Sequence, residues 1–199
     1  MTQLDPITRV VRAGVNQEAL GDVVPPIHLS TTFAFQQFGQ TPDYDYSRAG
    51  NPTRDLLGQA VADLEGGVGG VVTASGMGAI TAVLAACVPA GAVVAAPHDC
   101  YGGTWRLLDA LAAQGHLQLR LLDFTDAAAL PGAIGPDITA VFVESPSNPL
   151  LRVTDIAQVC ALAQAAGALT VVDNTFATPV FQRPLEMGAE VVVRSATQY

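Results

Sequence analysis

The chain has 199 residues, enough for one domain or one domain with an appendage, and half of them are hydrophobic while only 14% are charged. A net charge of -9 and the absence of any basic run argue against a nucleic-acid partner. No apolar run approaches the roughly 18–20 residues of a membrane span, and Met1-Thr2-Gln3-Leu4-Asp5 lacks the regions of a signal peptide, so cytoplasm is the expected compartment.

Residues 1–52 show no long amphipathic period. They carry Pro25-Pro26, the apolar-aromatic run Thr31-Thr32-Phe33-Ala34-Phe35, and Asp43-Tyr44-Asp45-Tyr46-Ser47-Arg48. Such a segment reads as an extended arm whose apolar residues need a partner surface. From Thr53 the pattern turns regular. Leu56, Leu57, Ala60, Val61 and Leu64 repeat at helical spacing until Gly66-Gly67 stops them.

Short apolar runs then alternate with helices. Val71-Val72-Thr73 is predicted as a strand before a helix from about Met77 to Ala86, and Ala92–Ala96 as a strand before one from about Thr104 to Ala113. A strand is expected over Leu117–Leu122, then a weaker helix near Asp126–Leu130 interrupted by Pro131. Ala140–Val143 is the next strand, and Thr154 the predicted N-cap of a helix ending at Gly167. Leu169–Val172 and Val191–Val193 complete the set. Cys87, Cys100 and Cys160 match no zinc spacing, so neither metal nor disulfide is expected, and Cys87 and Cys160 read as small core residues on apolar helices.

Strands that are apolar throughout and separated by helices predict an α/β domain with a mostly parallel sheet covered on both faces. Ligands of such sheets bind beyond the carboxyl ends of the strands, which directs attention to the segments after each strand. Ser75-Gly76-Met77-Gly78-Ala79 opens a helix and reads either as a tight turn or as a phosphate cradle. In His98-Asp99-Cys100-Tyr101-Gly102-Gly103-Thr104, Tyr101 can stack on an aromatic ligand or cap the core, and His98 reads as a turn former rather than a base. Two prolines in Glu144-Ser145-Pro146-Ser147-Asn148-Pro149 stiffen a polar loop and aim Asn148 outward. Asp173, directly after Val171-Val172, is a carboxylate at the end of a buried strand and needs a cationic partner: a protonated pyridine nitrogen, an arginine or a helix N-terminus. Ser195 and Thr197 offer hydroxyls suited to a phosphate.

Together these segments resemble the cystathionine gamma-synthase group of the Cys/Met-metabolism pyridoxal-phosphate enzymes. Val24–Ser30, Tyr46-Ser47-Arg48-Ala49-Gly50-Asn51-Pro52-Thr53-Arg54, Ala96–Gly103, Glu144–Pro149 and Val172–Phe176 carry the resemblance, which runs from about residue 7 to the last residue. Ala96–Gly103 looks most like the gamma-synthases, less like lyases of cystathionine or methionine, and a cystathionine gamma-lyase-type or O-acylhomoserine sulfhydrylase-type enzyme is the alternative that the resemblance leaves. The resemblance implies an aspartate-aminotransferase-like large domain that binds pyridoxal 5'-phosphate. In it, Ser75, Gly76, Met77, Ser195 and Thr197 would hold the phosphate, Tyr101 would stack on the ring and aid proton transfer, Asp173 would pair with the ring nitrogen, and Asn148 would lie near the ring hydroxyl. Tyr46 and Arg48 would reach the phosphate of a neighbouring subunit in a dimer of dimers. The implied activity is gamma-replacement of an O-acylhomoserine by cysteine, in methionine biosynthesis and transsulfuration.

Two departures stand against that pattern. The group reads Ser-Ala-Thr-Lys-Tyr where this chain reads Ser195-Ala196-Thr197-Gln198-Tyr199, and all nine basic residues are arginines. Glutamine has no basic nitrogen to condense with the cofactor aldehyde or to shuttle protons, so pyridoxal phosphate is expected to bind non-covalently and turnover to be negligible. Members of the group also continue into a C-terminal domain, so residues 53–199 are expected to be an incomplete cofactor domain behind the arm of residues 1–52. A fragment, an excised part of a longer protein and a non-catalytic subunit of an intact homologue are the three accounts of such a chain.

Overall fold

The computed structural model describes residues 4–15 and 22–198, the last by its backbone alone. Met1-Thr2-Gln3 and Tyr199 lie outside the described residues. The chain forms two compact units that divide between Val72 and Thr73.

The first unit holds helices α1 (Pro6–Val11) and α2 (Pro52–Glu65). Asn51 caps α2 by accepting from the N–H groups of Thr53 and Arg54, Pro52 takes the first turn where no donor is required, and Gly66 ends the helix in the left-handed conformation. Residues 22–51, which precede α2, form neither helix nor strand. Thr32 and Tyr46 form one antiparallel bridge, with Phe33 N–H on the Asp45 carbonyl and Ser47 N–H on that of Thr31, both at 2.9 Å. Val23, Val24, Ile27, Leu29 and Phe38 of this arm are all exposed. Val71-Val72-Thr73 is not a strand: two glycines precede the triplet, Val71 is 88% exposed, and no ladder partner is present among the described residues. Without a neighbour, so short a segment has nothing to hydrogen-bond as a strand.

The second unit alternates helices and strands: α3 (Gly76–Cys87), β1 (Val93–Pro97), α4 (Gly102–Ala113), β2 (Gln118–Leu122), α5 (Leu130–Ala133), β3 (Ile138–Glu144), α6 (Ile156–Ala166), β4 (Leu169–Asp173), α7 (Thr178–Phe181) and β5 (Val191–Val193). Its five strands pair in parallel in the order β2-β1-β3-β4-β5. The alternation of strand side chains divides the core in two. Ala95, Val141, Val143 and Val172 pack under α5 and α6, while Val94, Ala96, Ala140, Phe142, Val171 and Val193 pack under α3 and α4. Both faces of the central strands are covered, so β1, β3, β4 and β5 are mostly apolar along their length, while the edge strand β2 carries Gln118 and Arg120.

Three local expectations need correction. The helix expected near Asp126–Leu130 begins where it was expected to end, because Pro131 lacks an N–H and fits the first turn of α5; Asp126 caps the turn before it, accepting from Ala129 N–H at 3.2 Å. The N-cap of α6 is Asp155, whose carboxylate accepts from Gln158 N–H at 3.0 Å, while Thr154 donates its own N–H to Ser145 Oγ. Cys160 is buried under α6, but Cys87, the last residue of α3, is exposed. An apolar helix end that faces away from the sheet buries nothing.

Candidate active site

The carboxyl ends of β1, β3, β4 and β5 converge with the N-terminus of α3 around a cavity of about 240 Å³. Ser75, Gly76, Met77, Tyr101, Asn148, Asp173, Ser195 and Thr197 all line it.

At one end stand α3 and the segment after β5. Ser75 is the α3 N-cap, its hydroxyl accepting from Gly78 N–H at 3.0 Å, so the Gly76 and Met77 N–H groups are left without partners inside the helix. Ser195 and Thr197 share a hydroxyl–hydroxyl hydrogen bond of 2.8 Å in front of the 3-10 turn Ala196–Gln198. A Cβ on Gly76 would lie 2.7 Å from Ser195 Cβ, so only glycine lets the two segments approach this closely. Hydroxyls and free N–H groups beside a helix N-terminus are an anion-binding set.

At the other end Tyr101, in the loop before α4, is 44% exposed and presents its ring to the cavity. A Cβ on Gly103 would fall 2.5 Å from Tyr101 Cε1 and 3.0 Å from Met77 Sδ. The bare glycine is what leaves room for the ring in this position.

Two carboxyl groups stand side by side behind that ring. Glu144 and Asp173 are register partners at the ends of β3 and β4, 5% and 9% exposed. Burial raises the Asp173 carboxyl above its ordinary range, opposed by hydrogen bonds from the Thr175 hydroxyl (2.6 Å) and N–H (3.0 Å) and by the charge of Arg194. Burial also pushes Glu144 up to about 7, against two N–H donors and with the charges of Asp173 and Asp99 adding to the rise. Such a pair favours a cation between or beside it.

Neighbouring residues hold the strand ends. Asn174, fully buried, exchanges amide hydrogen bonds with Gln182, which also donates to the Ser145 carbonyl at 2.8 Å. Thr175 Oγ1 accepts from Ser195 N–H at 3.0 Å and so couples the Asp173 end of the cavity to the Ser195 end. His98 sits in the turn, with Nδ1 against the Leu122 carbonyl at 3.1 Å and Nε2 against Arg152 at 3.2 Å. It is not among the residues that line the cavity.

Tyr46 and Arg48 belong to the first unit, where the Arg48 guanidinium donates to the Tyr46 hydroxyl at 2.5 Å and lies 5.2 Å from its ring centre. Glu144, Thr175 and Gly103 stood in quoted motifs without a role. The Asp-x-Thr spacing of 173 and 175 is a side-chain turn signal that finds Thr175. Glu144 had a weaker signal, a carboxylate closing a strand that is otherwise apolar.

A parallel α/β domain with an anion cradle, an aromatic face and a buried carboxylate at one strand edge is built to hold a phosphorylated aromatic cofactor. The profile of the Cys/Met metabolism PLP-dependent enzymes matches residues 7–199, and the chain belongs to that family. It is 51% identical over 193 residues to cystathionine gamma-synthase of Escherichia coli, covering 96% of this chain and 50% of the relative, and 42% identical over 193 residues to cystathionine beta-lyase of Lactococcus lactis subsp. cremoris, with the same coverage. The crystal structure of cystathionine gamma synthase from Xanthomonas oryzae pv. oryzae in complex with aminoacrylate and cysteine superposes with a TM-score of 0.92 at 51% identity, over 97% of this chain and 50% of that one. The chain thus spans about half the length of the relatives it matches. Pyridoxal phosphate is the cofactor of the family, and the residues present fit its phosphate and its ring. Among the described residues no helix is long and apolar enough to cross a membrane.

Proposed function

We propose that this chain seats pyridoxal 5'-phosphate as a cystathionine gamma-synthase does, but without a covalent anchor, and that by itself it does not turn over. The observation that carries the reading is one cavity lined by Ser75, Gly76, Met77, Tyr101, Asp173, Ser195 and Thr197 in a chain with no lysine. Ser195, Thr197 and the N–H groups of Gly76 and Met77 would take the phosphate, Tyr101 the ring face, Asp173 the protonated ring nitrogen and Asn148 the ring hydroxyl. Bound pyridoxal phosphate supplies an electron-withdrawing ring that stabilises negative charge on a substrate carbon. Asp173 keeps that ring protonated, since a carboxylate beside it favours the charged form. Gln198 stands where the family pattern has lysine, and its amide can neither bond the aldehyde nor carry a proton.

The activity of the parent enzyme is, on this reading, replacement of the acyl group of O-succinyl- or O-acetylhomoserine by cysteine at the gamma carbon, in the cytoplasm. The relatives named as lyases support elimination from cystathionine as the second reading. The exposed Val23, Val24, Ile27, Leu29 and Phe38 support an arm that is covered by another subunit, as Tyr46 and Arg48 reaching a neighbouring site would require. The test combines equilibrium binding with trapping. Purified chain should bind the cofactor reversibly, yield no covalent adduct after borohydride reduction, and form no cystathionine from O-succinylhomoserine and cysteine above the rate of free cofactor. A covalent adduct, or cystathionine above that rate, would overturn it.

A further inference from the structure

Glu144 lines the cavity but has no part in the roles above. Its two carboxylate oxygens are taken by backbone donors from two different loops: Tyr101 N–H reaches Oε2 at 2.8 Å, and Asn148 N–H reaches Oε1 at 2.7 Å. Tyr101 sits where the loop after β1 turns into α4, and Asn148 in the loop after β3. Side-chain ties also join these loops: the Ser147 hydroxyl donates to Asp99 Oδ2 at 2.9 Å, and Arg152 lies 3.2 Å from His98 Nε2 and 3.6 Å from Asp99 Oδ2. A carboxylate buried beside Asp173 is costly to keep, and an apolar side chain would end the strand at less expense. What offsets the cost is a pair of hydrogen bonds to an ionisable acceptor, which are stronger than neutral ones.

We propose that Glu144 is a positioning residue: one side chain fixes where both the Tyr101 ring and the Asn148 amide stand, and so sets recognition of the cofactor ring rather than of its phosphate. The proposal rests on the cofactor reading given above. Glu144→Gln keeps the shape but offers one acceptor oxygen and one NH2 donor, so one of the two backbone N–H groups faces another donor.

Hydrogen exchange on the cofactor-free chain tests the clamp alone. In the wild type the Tyr101 and Asn148 amides should exchange far more slowly than those of Asp99 and Leu150 in the same loops, and in Glu144→Gln at least one should quicken about tenfold, the loss expected for one hydrogen bond. Amides of Val141–Val143 should not change. Binding then separates the ends of the cavity: the variant should bind pyridoxal phosphate and pyridoxal about tenfold more weakly and inorganic phosphate as before. Fast wild-type exchange at both amides, or phosphate affinity that falls together with pyridoxal affinity, would overturn the proposal. If the wild type binds no pyridoxal phosphate, the functional reading fails, while the exchange result still decides the clamp.

Discussion

Gly103 and Gly76 show how much of a ligand site is specified by atoms that are missing. At Gly103 the group in the way of a Cβ is the Tyr101 ring, which can rotate aside; at Gly76 it is Ser195 Cβ at 2.7 Å, with Ser195 Cα at 3.3 Å, and backbone yields less easily. Gly103→Ala should therefore cost about 1 kcal/mol of stability or less yet weaken pyridoxal binding tenfold or more, roughly, by turning the ring out of place. Denaturant unfolding and cofactor titration on one preparation check both halves; unchanged affinity would show that the ring position is not required.

Glu144 makes a pH prediction at the same scale. Its ordinary value is 4.5, and in the folded chain it rises to about 7 through burial, with Asp173 and Asp99 adding and the Tyr101 and Asn148 N–H groups opposing. The folded chain then holds this proton more tightly than the unfolded one, so the contribution to stability is complete below pH 4.5 and is lost as the pH rises through about 7. Across that window the unfolding free energy should fall by up to about 3 kcal/mol, at no more than about 1.4 kcal/mol per pH unit. Glu144→Gln removes the ionisation, and unfolding curves recorded between about pH 5 and 8 should show the variant without this slope. Identical slopes in the two proteins would mean that the carboxyl ionises in its usual range.

Among the elements, Thr175 links two strand ends. Its hydroxyl donates to Asp173 Oδ1 at the end of β4 and accepts from Ser195 N–H beyond β5, so one oxygen serves both segments. Thr175→Val keeps the shape and removes both bonds. We expect a loss of about 1–3 kcal/mol, because Ser195 N–H and the Asp173 carboxylate each lose a partner, and a further rise of the Asp173 carboxyl, since the Thr175 hydroxyl is the largest of the influences that lower it. Calorimetric unfolding reads the first, and the pH at which a bound pyridoxal spectrum changes reads the second.

The elements also show what a single sequence can and cannot disclose. Strands such as Ala140–Val143 were legible because both sheet faces are covered, which removes polar positions from the pattern. Val71-Val72-Thr73 carried the same pattern and failed, since apolar composition does not say whether a neighbouring strand exists. Asn148, Asp173, Ser195 and Thr197 could be picked out as polar residues at strand ends. The donors that hold Glu144 could not, because both are backbone N–H groups and every residue except proline has one.

For the whole molecule the decisive residue is a single side chain. The residues proposed to take the phosphate and the ring all line one cavity, yet the sequence has no lysine. Gln198 follows Ser195 and Thr197, the two hydroxyls at the phosphate end, by three and one positions, and its backbone closes the 3-10 turn Ala196–Gln198. If the seat is intact and lacks only its anchor, Gln198→Lys should restore the bond without any other change. On the proposed seating, an amine at position 198 would meet the cofactor aldehyde, and its attack would be effectively intramolecular once the phosphate is bound. The variant should take on the absorbance of a protonated imine at neutral pH, and borohydride should fix a pyridoxyl group on Lys alone, in a yield that follows cofactor occupancy. Mass spectrometry of the peptide containing position 198 reads this directly. The wild type under the same treatment should show none. Labelling confined to the α-amino group of Met1, or no adduct in a variant that still binds the cofactor, would mean that the turn does not point position 198 at the ring. The missing lysine would then not be the only thing that separates this chain from a working cofactor site.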